Sequence, residues 1–436
     1  MTHITDHKTI HLIGIGGCSM NGLAQILRDR GYAVQGSDAN VSPFTQRLQE
    51  LGVPVTIGHS ADNLGAADLV IYSAAIKPTN VERVAAKERG IPELERSVAL
   101  GQLTEGYKDV IGIAGCHGKT TITSMLAYIC ESGKPDATVH IGGFVDILHG
   151  GVRIGAHDMF ITEACEYVES FLTLRPTVAL INNIDDDHLD YYKDIDHITD
   201  AFRKFLALLP QGGMFIGCAD DPRVRRLLVE HRGAHISYGM ANADYTPGNI
   251  VYDAAGPAFD LLYEGRSLGR ISLCVPGEHN IINAIAAAAV ALYAGTPFPA
   301  IAEALHAFEN TRRRFEFFGE RSSIKYYHDY AHHPAEINAT LSAAARVPHG
   351  KLWCVFQCNS YTRAKTLFCK NVTCFAHGLR TDRRLAFPYS DKPVTNRFTE
   401  TSRTLTNSIH PSGRGYQAWA DGYYCQIRAW LTEDSK

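Results

Sequence analysis

The chain has 436 residues, 45% hydrophobic and 20% charged, and at about 100–200 residues per domain that length suggests about three domains rather than one small module. Lysine and arginine number 42 against 46 acidic residues, a formal charge of −4, so no basic excess exists to neutralise a nucleic-acid backbone. The start runs directly into a strand-like Thr9–Ile13 with no cationic secretory segment, and the longest apolar run, around Ala284–Ala294, is too short for the roughly 20 residues that span a bilayer; a cytoplasmic protein without nucleic-acid or membrane partners is expected.

In chain order, Ile10–Ile15 reads as a strand, Met20–Asp29 as a helix stopped by Gly31, then Ala33–Gly36 and Asp68–Ser73 as further strands. This β-turn-α alternation predicts a parallel sheet covered by helices. A second series begins at Asp109–Ala114 and includes a helix over Ile122–Cys130 and strands over Asp158–Thr162 and Thr177–Asn182. Short strands with Gly and Pro turns between about 212 and 276 predict a mixed sheet edge, followed by an Ala-rich helix over Glu278–Ala294. A third series opens with a strand over Ser323–Asp329 and a helix over Pro334–Ala345, Pro334 lying in the first turn, where its missing N–H costs nothing. Domain boundaries are expected near 106 and 311. From about Gly378 the chain becomes Ser/Thr-rich and basic, and strand-like apolar runs nearly vanish.

Eleven cysteines scattered from Cys18 to Cys425 do not make a disulfide framework. Cys354, Cys358, Cys369, Cys374 and His377 cluster, but without the tight CxxC pairs usual in zinc sites. With Cys354 inside an apolar strand-like Leu352–Phe356, packing explains them better than metal.

The strongest signal is Gly112-Ile113-Ala114-Gly115-Cys116-His117-Gly118-Lys119-Thr120-Thr121, a Gly-rich turn between strand and helix. Consecutive backbone N–H groups at a helix N-terminus bind phosphate; Lys119 would neutralise the β- and γ-phosphates and Thr120 would ligate Mg²⁺. Glu163 ends an apolar strand, and Asp187-His188 follows another. If these strands are parallel neighbours, their ends face Lys119. Glu163 could hold magnesium, as could Glu166, and His188 a second cation. Nearer the start, Gly14-Ile15-Gly16-Gly17-Cys18-Ser19 with Asp38 some 20 residues on matches a dinucleotide fingerprint in which Ser19 replaces the last Gly. It offers close backbone approach to a pyrophosphate and a carboxylate for a ribose hydroxyl.

These segments, with Glu163-Ala164-Cys165-Glu166, Asn183 through Asp187-His188-Leu189-Asp190, Gly277-x-His279-Asn280-x-x-Asn283, Arg313-Arg314-Phe315-Glu316 and Asp329-Tyr330-Ala331-His332-His333-Pro334, resemble in their order the Mur ligases of peptidoglycan synthesis. The resemblance covers residues 8 to about 377, and His117 with the Ala-His-His-Pro run favours the branch that adds L-alanine. It implies an α/β protein of three domains. These are an N-terminal Rossmann-like domain for the UDP-sugar (1–106), a central P-loop ATPase-like mixed sheet for ATP (107–311), and a C-terminal Rossmann-like domain for the amino acid (312–436).

The implied reaction is ATP-dependent joining of L-alanine to the lactyl carboxylate of UDP-N-acetylmuramate through an acyl phosphate. The resemblance makes Lys119, Glu163 and His188 catalytic. Thr120 and Glu163 would hold Mg²⁺, with Glu166 an alternative to Glu163, and His188 would hold a second divalent cation. The loop Gly115, Cys116, His117, Gly118, Lys119, Thr120 and Thr121 would bind ATP together with His279, Asn280 and Asn283 near the adenine, Arg314 at the phosphates and Asp329 at the ribose. Gly14, Gly16, Gly17, Ser19, Asp38 and Ser73 would line the UDP-sugar site. His333 and Arg363 are candidates for the L-alanine carboxylate. A monomer or weak homodimer is expected.

Two departures stand out. Asn359 and Ser360 replace the His-Thr of the family's Phe-Gln-x-His-Thr-Tyr-x-Arg segment, and after His377 no Asp-Ile-Tyr-x-x-Arg-Glu-like strand and loop follows. Three rival readings remain at this stage: a Mur-type ligase that joins a preformed peptide to the same sugar, an NAD-dependent oxidoreductase built on the first Gly-rich turn, and a nucleotide-binding regulator without catalysis. The oxidoreductase leaves the Lys119 loop unexplained.

Overall fold

A computed structural model describes residues 2–355 apart from 190, 253–255, 322 and the side chain of 157. The first sheet is built from β1 (Thr9–Ile13), α1 (Cys18–Asp29), β2 (Ala33–Asp38), α2 (Pro43–Glu50), β3 (Val55–Ile57), β4 (Leu69–Tyr72), α3 (Val81–Glu88), β5 (Glu93–Glu95) and α4 (Arg96–Thr104). Its five strands are parallel in the order β3-β2-β1-β4-β5. In α1 the buried Met20, Leu23, Ala24 and Leu27 recur at three- and four-residue intervals, so one stripe meets the sheet. Helix α2 starts cleanly because Ser42 and Thr45 form a reciprocal capping box and Pro43 occupies the first turn.

The second series comprises β6 (Asp109–Ala114), α5 (Lys119–Glu131), β7 (Ala137–Val145), β8 (Gly150–Arg153), β9 (Ala156–Glu163), β10 (Val178–Ile181), α6 (Ile195–Leu206), β11 (Met214–Cys218), α7 (Pro222–Glu230), β12 (Ala234–Tyr238), β13 (Tyr245–Tyr252), β14 (Pro257–Tyr263), β15 (Arg266–Ser272), α8 (Glu278–Tyr293) and α9 (Phe298–His306). These strands form a ten-stranded sheet, β15-β14-β13-β12-β11-β10-β6-β9-β7-β8. The centre is parallel, and β13–β15 and β8 add antiparallel edges. The mixed edge follows from the short strands and turns of that stretch. Helices α5 and α8 are buried almost all round: apolar residues lie on every face of α8, and in α5 the small polar Thr121, Thr123 and Ser124 are buried together with the apolar ones. The run Ala286–Ala289 has no side chain beyond Cβ, so α8 can lie close against α5.

Helix α1 packs across β7 and β8. A Cβ on Gly22 would lie 2.8 Å from the His140 ring, so the close approach requires glycine.

The third series differs from expectation at its start. The strand expected over Ser323–Asp329 is β17 (Ile324–His328), and it pairs antiparallel with β16 (Glu316–Arg321), a strand the sequence reading missed. A register shift between Phe317 and Gly319 interrupts the period-two pattern there. Helix α10 (Pro334–Arg346) follows. Residues 352–355 of the expected Leu352–Phe356 strand are not a strand; Trp353, Cys354 and Val355 are exposed, and among the described residues no strand pairs with them. Packing therefore does not account for Cys354. Cys358, Cys369, Cys374 and His377 lie outside the described residues.

Candidate active site

Strand β6 lies between β9 and β10, all three parallel, so the loops leaving their C-terminal ends converge. The loop after β6 passes through Gly118, φ +87°, into α5, which begins at Lys119 rather than at Ile122. A Cβ on Gly118 would lie 2.6 Å from Asn182 Nδ2 and 2.7 Å from Asn283 Oδ1, so both the turn and its surroundings demand glycine. The Lys119 ammonium is folded back into its loop. It donates to the Gly115 carbonyl, to Cys116 O at 3.2 Å, and to both carboxylate oxygens of Glu166 at 2.8 and 3.1 Å. Burial alone would lower the lysine pKa, but the Glu166 charge overcomes it and holds the ammonium protonated.

Glu163, the last residue of β9, accepts from Thr120 Oγ1 at 3.0 Å and from the Gly142 amide. Burial raises its pKa against these hydrogen bonds and the Lys119 charge. A divalent cation would relieve that penalty, and a hydroxyl beside a carboxylate is an all-oxygen donor set suited to Mg²⁺. The residues therefore fit a magnesium-nucleotide centre. His188 Nε2 stands 3.6 Å from Glu166 and 3.8 Å from Asp187, and donor atoms of these three residues lie within 4.8 Å of one another. The His188 backbone is left-handed, φ +53°, a conformation that costs a non-glycine residue on the order of 1 kcal/mol and is commonly retained at functional sites.

Behind the loop runs a chain of amides that sequence reasoning had not assembled. Asn183 accepts from the His117 amide at 2.8 Å and donates to its carbonyl at 3.0 Å. Asn182 Nδ2 donates to the same carbonyl and to Asn283 Oδ1, and its own oxygen accepts from the buried Tyr238 hydroxyl. Asn283 donates to Asn280, and Asn280 to Pro276 O. The two asparagines at the start of α8 thus brace the loop from behind. His279 lies beside Gly277 at the same helix start.

His117 faces Asp185 with Nε2 at 3.1 Å and Glu336 with Nδ1 at 3.4 Å. Burial opposes its protonation, but the two carboxylates prevail and lift its pKa to about 9. Asp185 is held down at about 2, chiefly by its hydrogen bond to His117. His117, Asp185 and His333 also bring donor atoms within 4.8 Å of one another. With a carboxylate on each nitrogen, however, His117 serves as a cation rather than as a metal ligand.

From the third series, Arg314 Nη1 reaches to 3.8 Å from Glu336. The Asp329 carboxylate is engaged locally: it accepts from the amides of Phe315 and Ala331 and from Thr340 Oγ1. His333 is buried, sets its ring against His117 with centroids 4.7 Å apart and planes tilted by 41°, caps α10 and places Nε2 3.2 Å from Asp186 O. Arg363 lies outside the described residues.

The first-sheet candidates gather at the C-terminal ends of β1, β2 and β4. Gly16 N donates to Asp38 Oδ2 at 2.9 Å, so that carboxylate holds the glycine turn itself. The loop also carries Gly14 and Gly17, whose amide donates to Gly14 O. Ser73 Oγ caps the turn after β4 by accepting from Ala75 N. Ser19 Oγ accepts from Arg96 and lies 3.2 Å from His140 of β7, joining the first sheet to the second. Burial pushes the His140 pKa down to about 4. His140, Arg96, Asp185 and Glu336 went unnoticed in the sequence because each meets its partner only through the fold.

Both sheets carry glycine-rich turns and acidic residues at the C-terminal ends of their parallel strands, and the chain belongs to the Mur ligase family. Three family models match in order: the Mur ligase catalytic domain over residues 9–108, the Mur ligase middle domain over 113–291 and the Mur ligase glutamate ligase domain over 313–377. The UDP-N-acetylmuramate–L-alanine ligase of Clostridium botulinum (strain Langeland) is 45% identical over 370 residues, 85% of this chain and 81% of that one. The crystal structure of UDP-N-acetylmuramate-alanine ligase from Thermotoga maritima matches with a TM-score of 0.69 at 29% identity, covering 78% of each chain. That of UDP-N-acetylmuramate:L-alanyl-γ-D-glutamyl-meso-diaminopimelate ligase from Neisseria meningitides matches at 0.63 and 29% identity, covering 70% of this chain and all of the other. Among the described residues no helix is long and apolar enough to cross a membrane.

Proposed function

We propose that this protein joins L-alanine to the lactyl carboxylate of UDP-N-acetylmuramate with hydrolysis of ATP to ADP, a step of peptidoglycan synthesis. The observation that carries this reading is the 45% identity, over 85% of the chain, to a ligase of that name. The arrangement at the ends of β6, β9 and β10 supports it.

In this reading the loop amides and Lys119 hold the β- and γ-phosphates, and Lys119 exchanges Glu166 for phosphate oxygen as the nucleotide enters. Thr120 and Glu163 hold Mg²⁺, with Glu166, Asp187 and His188 placed around a second cation. When bound, the metal neutralises charge on the transferring phosphoryl group. The sugar's carboxylate attacks the γ-phosphorus in line, ADP leaves, and the amine of L-alanine then attacks the acyl phosphate, releasing phosphate and forming the amide. Arg314 steadies the phosphates and Asp329 the ribose. Gly14, Gly16, Gly17, Ser19, Asp38 and Ser73 line the UDP-sugar site, and His333 and Arg363 meet the amino acid. Closure of the three domains keeps water from the acyl phosphate.

The test is phosphate release with UDP-N-acetylmuramate and ATP, offered L-alanine in one arm and L-alanyl-γ-D-glutamyl-meso-diaminopimelate in the other. L-alanine is expected to be the productive amine. Turnover with the tripeptide alone would give the chain the activity named for the Neisseria structure instead.

A further inference from the structure

Helix α10 begins with His333 as N-cap, Pro334 in the first turn and Glu336 at the third position. Glu336 forms a capping interaction, accepting with Oε2 from the amides of His332 at 3.0 Å and His333 at 3.2 Å. A cap needs only one carboxylate oxygen. On an isolated helix the other would face water. Here Oε1 is turned into the site, 3.4 Å from Nδ1 of the loop residue His117 and 3.8 Å from Nη1 of Arg314, and the side chain is only 15% exposed. His117 is anchored on its far side by Asp185 and lies against the tilted ring of His333. A single side chain therefore links the start of α10, the arginine that precedes β16 and the phosphate-binding loop.

We propose that Glu336 is a positioning residue for the nucleotide: its outer oxygen sets His117 and Arg314 relative to each other, so Arg314 presents to the phosphates only when α10 is seated on the loop. This rests on the ligase reading and adds to it a residue that contacts neither metal nor reacting carboxylate. Without the carboxylate, His117 keeps Asp185 and the His333 ring but loses its ionic tie to α10, and Arg314 loses the anion that orients it. The loop itself, held by Asn182 and Asn183, stays in place. The cost falls on nucleotide affinity as well as on stability, with the loop's own fold retained.

The conservative variant is Glu336→Gln, whose amide oxygen can still accept from the helix amides while its NH₂ confronts two cationic groups. Loss of the ion pairs is expected to lower the melting temperature while leaving the variant folded at assay temperature, and the dissociation constant for ATP and its KM are expected to rise about ten-fold, the size of one lost charge-assisted contact. Direct binding of a fluorescent ATP analogue to E336Q, H117N and the double variant gives a cycle. The double variant is expected to be no weaker than the worse single one, because both changes cut the same link. Additive losses, or an E336Q affinity within about two-fold of the parent, overturn the proposal. Should E336Q fail to fold, Glu336→Asp keeps the charge but withdraws it by one methylene, and its cycle with H117N decides in the same way. A parent that binds the nucleotide yet releases no phosphate with any amine would defeat the ligase reading, while the binding cycle would still report on Glu336.

Discussion

At the scale of single residues, the site is a set of charges balanced inside the protein. Lys119→Met would remove the cation proposed to meet the phosphates and is expected to lower phosphate release by about 10²–10³-fold or more, the loss typical of one transition-state contact. It would also strand Glu166, whose side chain is 1% exposed. Removing one member of a buried pair costs about 3–5 kcal/mol, and His188 at 3.6 Å moderates this, so a loss of roughly 3 kcal/mol in denaturant titration is expected. Glu163→Gln keeps an acceptor for Thr120 but loses the charge, and the half-saturating Mg²⁺ concentration for turnover is expected to rise about ten-fold. An unchanged metal requirement would transfer the ligand role to Glu166. Lys119 and Thr120 were legible because a Gly-rich turn before a helix is a local signal. The partnership of Lys119 with Glu166 was not, since it depends on which strand lies beside β6. For the same reason Glu166 entered the sequence reading only as an alternative metal ligand.

At the scale of elements, the sequence pattern placed β1, β6 and α8 to within a few residues because each lies in a buried core, whereas α10, with only Ile337 and Ala343 buried, was marked by Pro334 in its first turn. The hairpin escaped for a physical reason: Phe317 and Phe318 are both exposed and adjacent, so the alternation that signals a strand is absent. The contact of α1 with β7 was equally invisible, as Gly22 and His140 look ordinary in sequence. Gly22→Ala would press a Cβ into the His140 ring at 2.8 Å and is expected to cost about 1–3 kcal/mol. His140 makes this contact sensitive to acid. Its folded pKa of about 4 lies below the ordinary 6.5, so its share of stability is complete above about 6.5 and is lost as pH falls towards 4. The parent's melting temperature should therefore drop more steeply across that window than that of His140→Gln. Parallel pH dependences would show that His140 carries no linkage.

At the scale of the molecule, the family match and the sequence reading lose the pattern at the same place, residue 377. In the proposed reading, ATP affinity draws on the central sheet and α10, whereas the amino-acid step is assigned to the segment that carries Arg363. Replacing residues 378–436 with the corresponding stretch of a relative that continues the family pattern is expected to raise turnover and leave ATP affinity unchanged. A rise in neither would show the native stretch to be sufficient. The ion pair between Lys119 and Glu166 bears on the whole assembly in another respect. In the proposed reading Lys119 meets phosphate, and the Glu166 carboxylate tethered to it acts as a placeholder for that anion. A stray sulfate or phosphate has to compete with a carboxylate fixed at high effective concentration, whereas a nucleotide brings enough further contacts to evict it. On that reading, Lys119 and Glu166 neutralise each other until a ligand displaces the carboxylate, which favours a ligand that brings further contacts over a small anion.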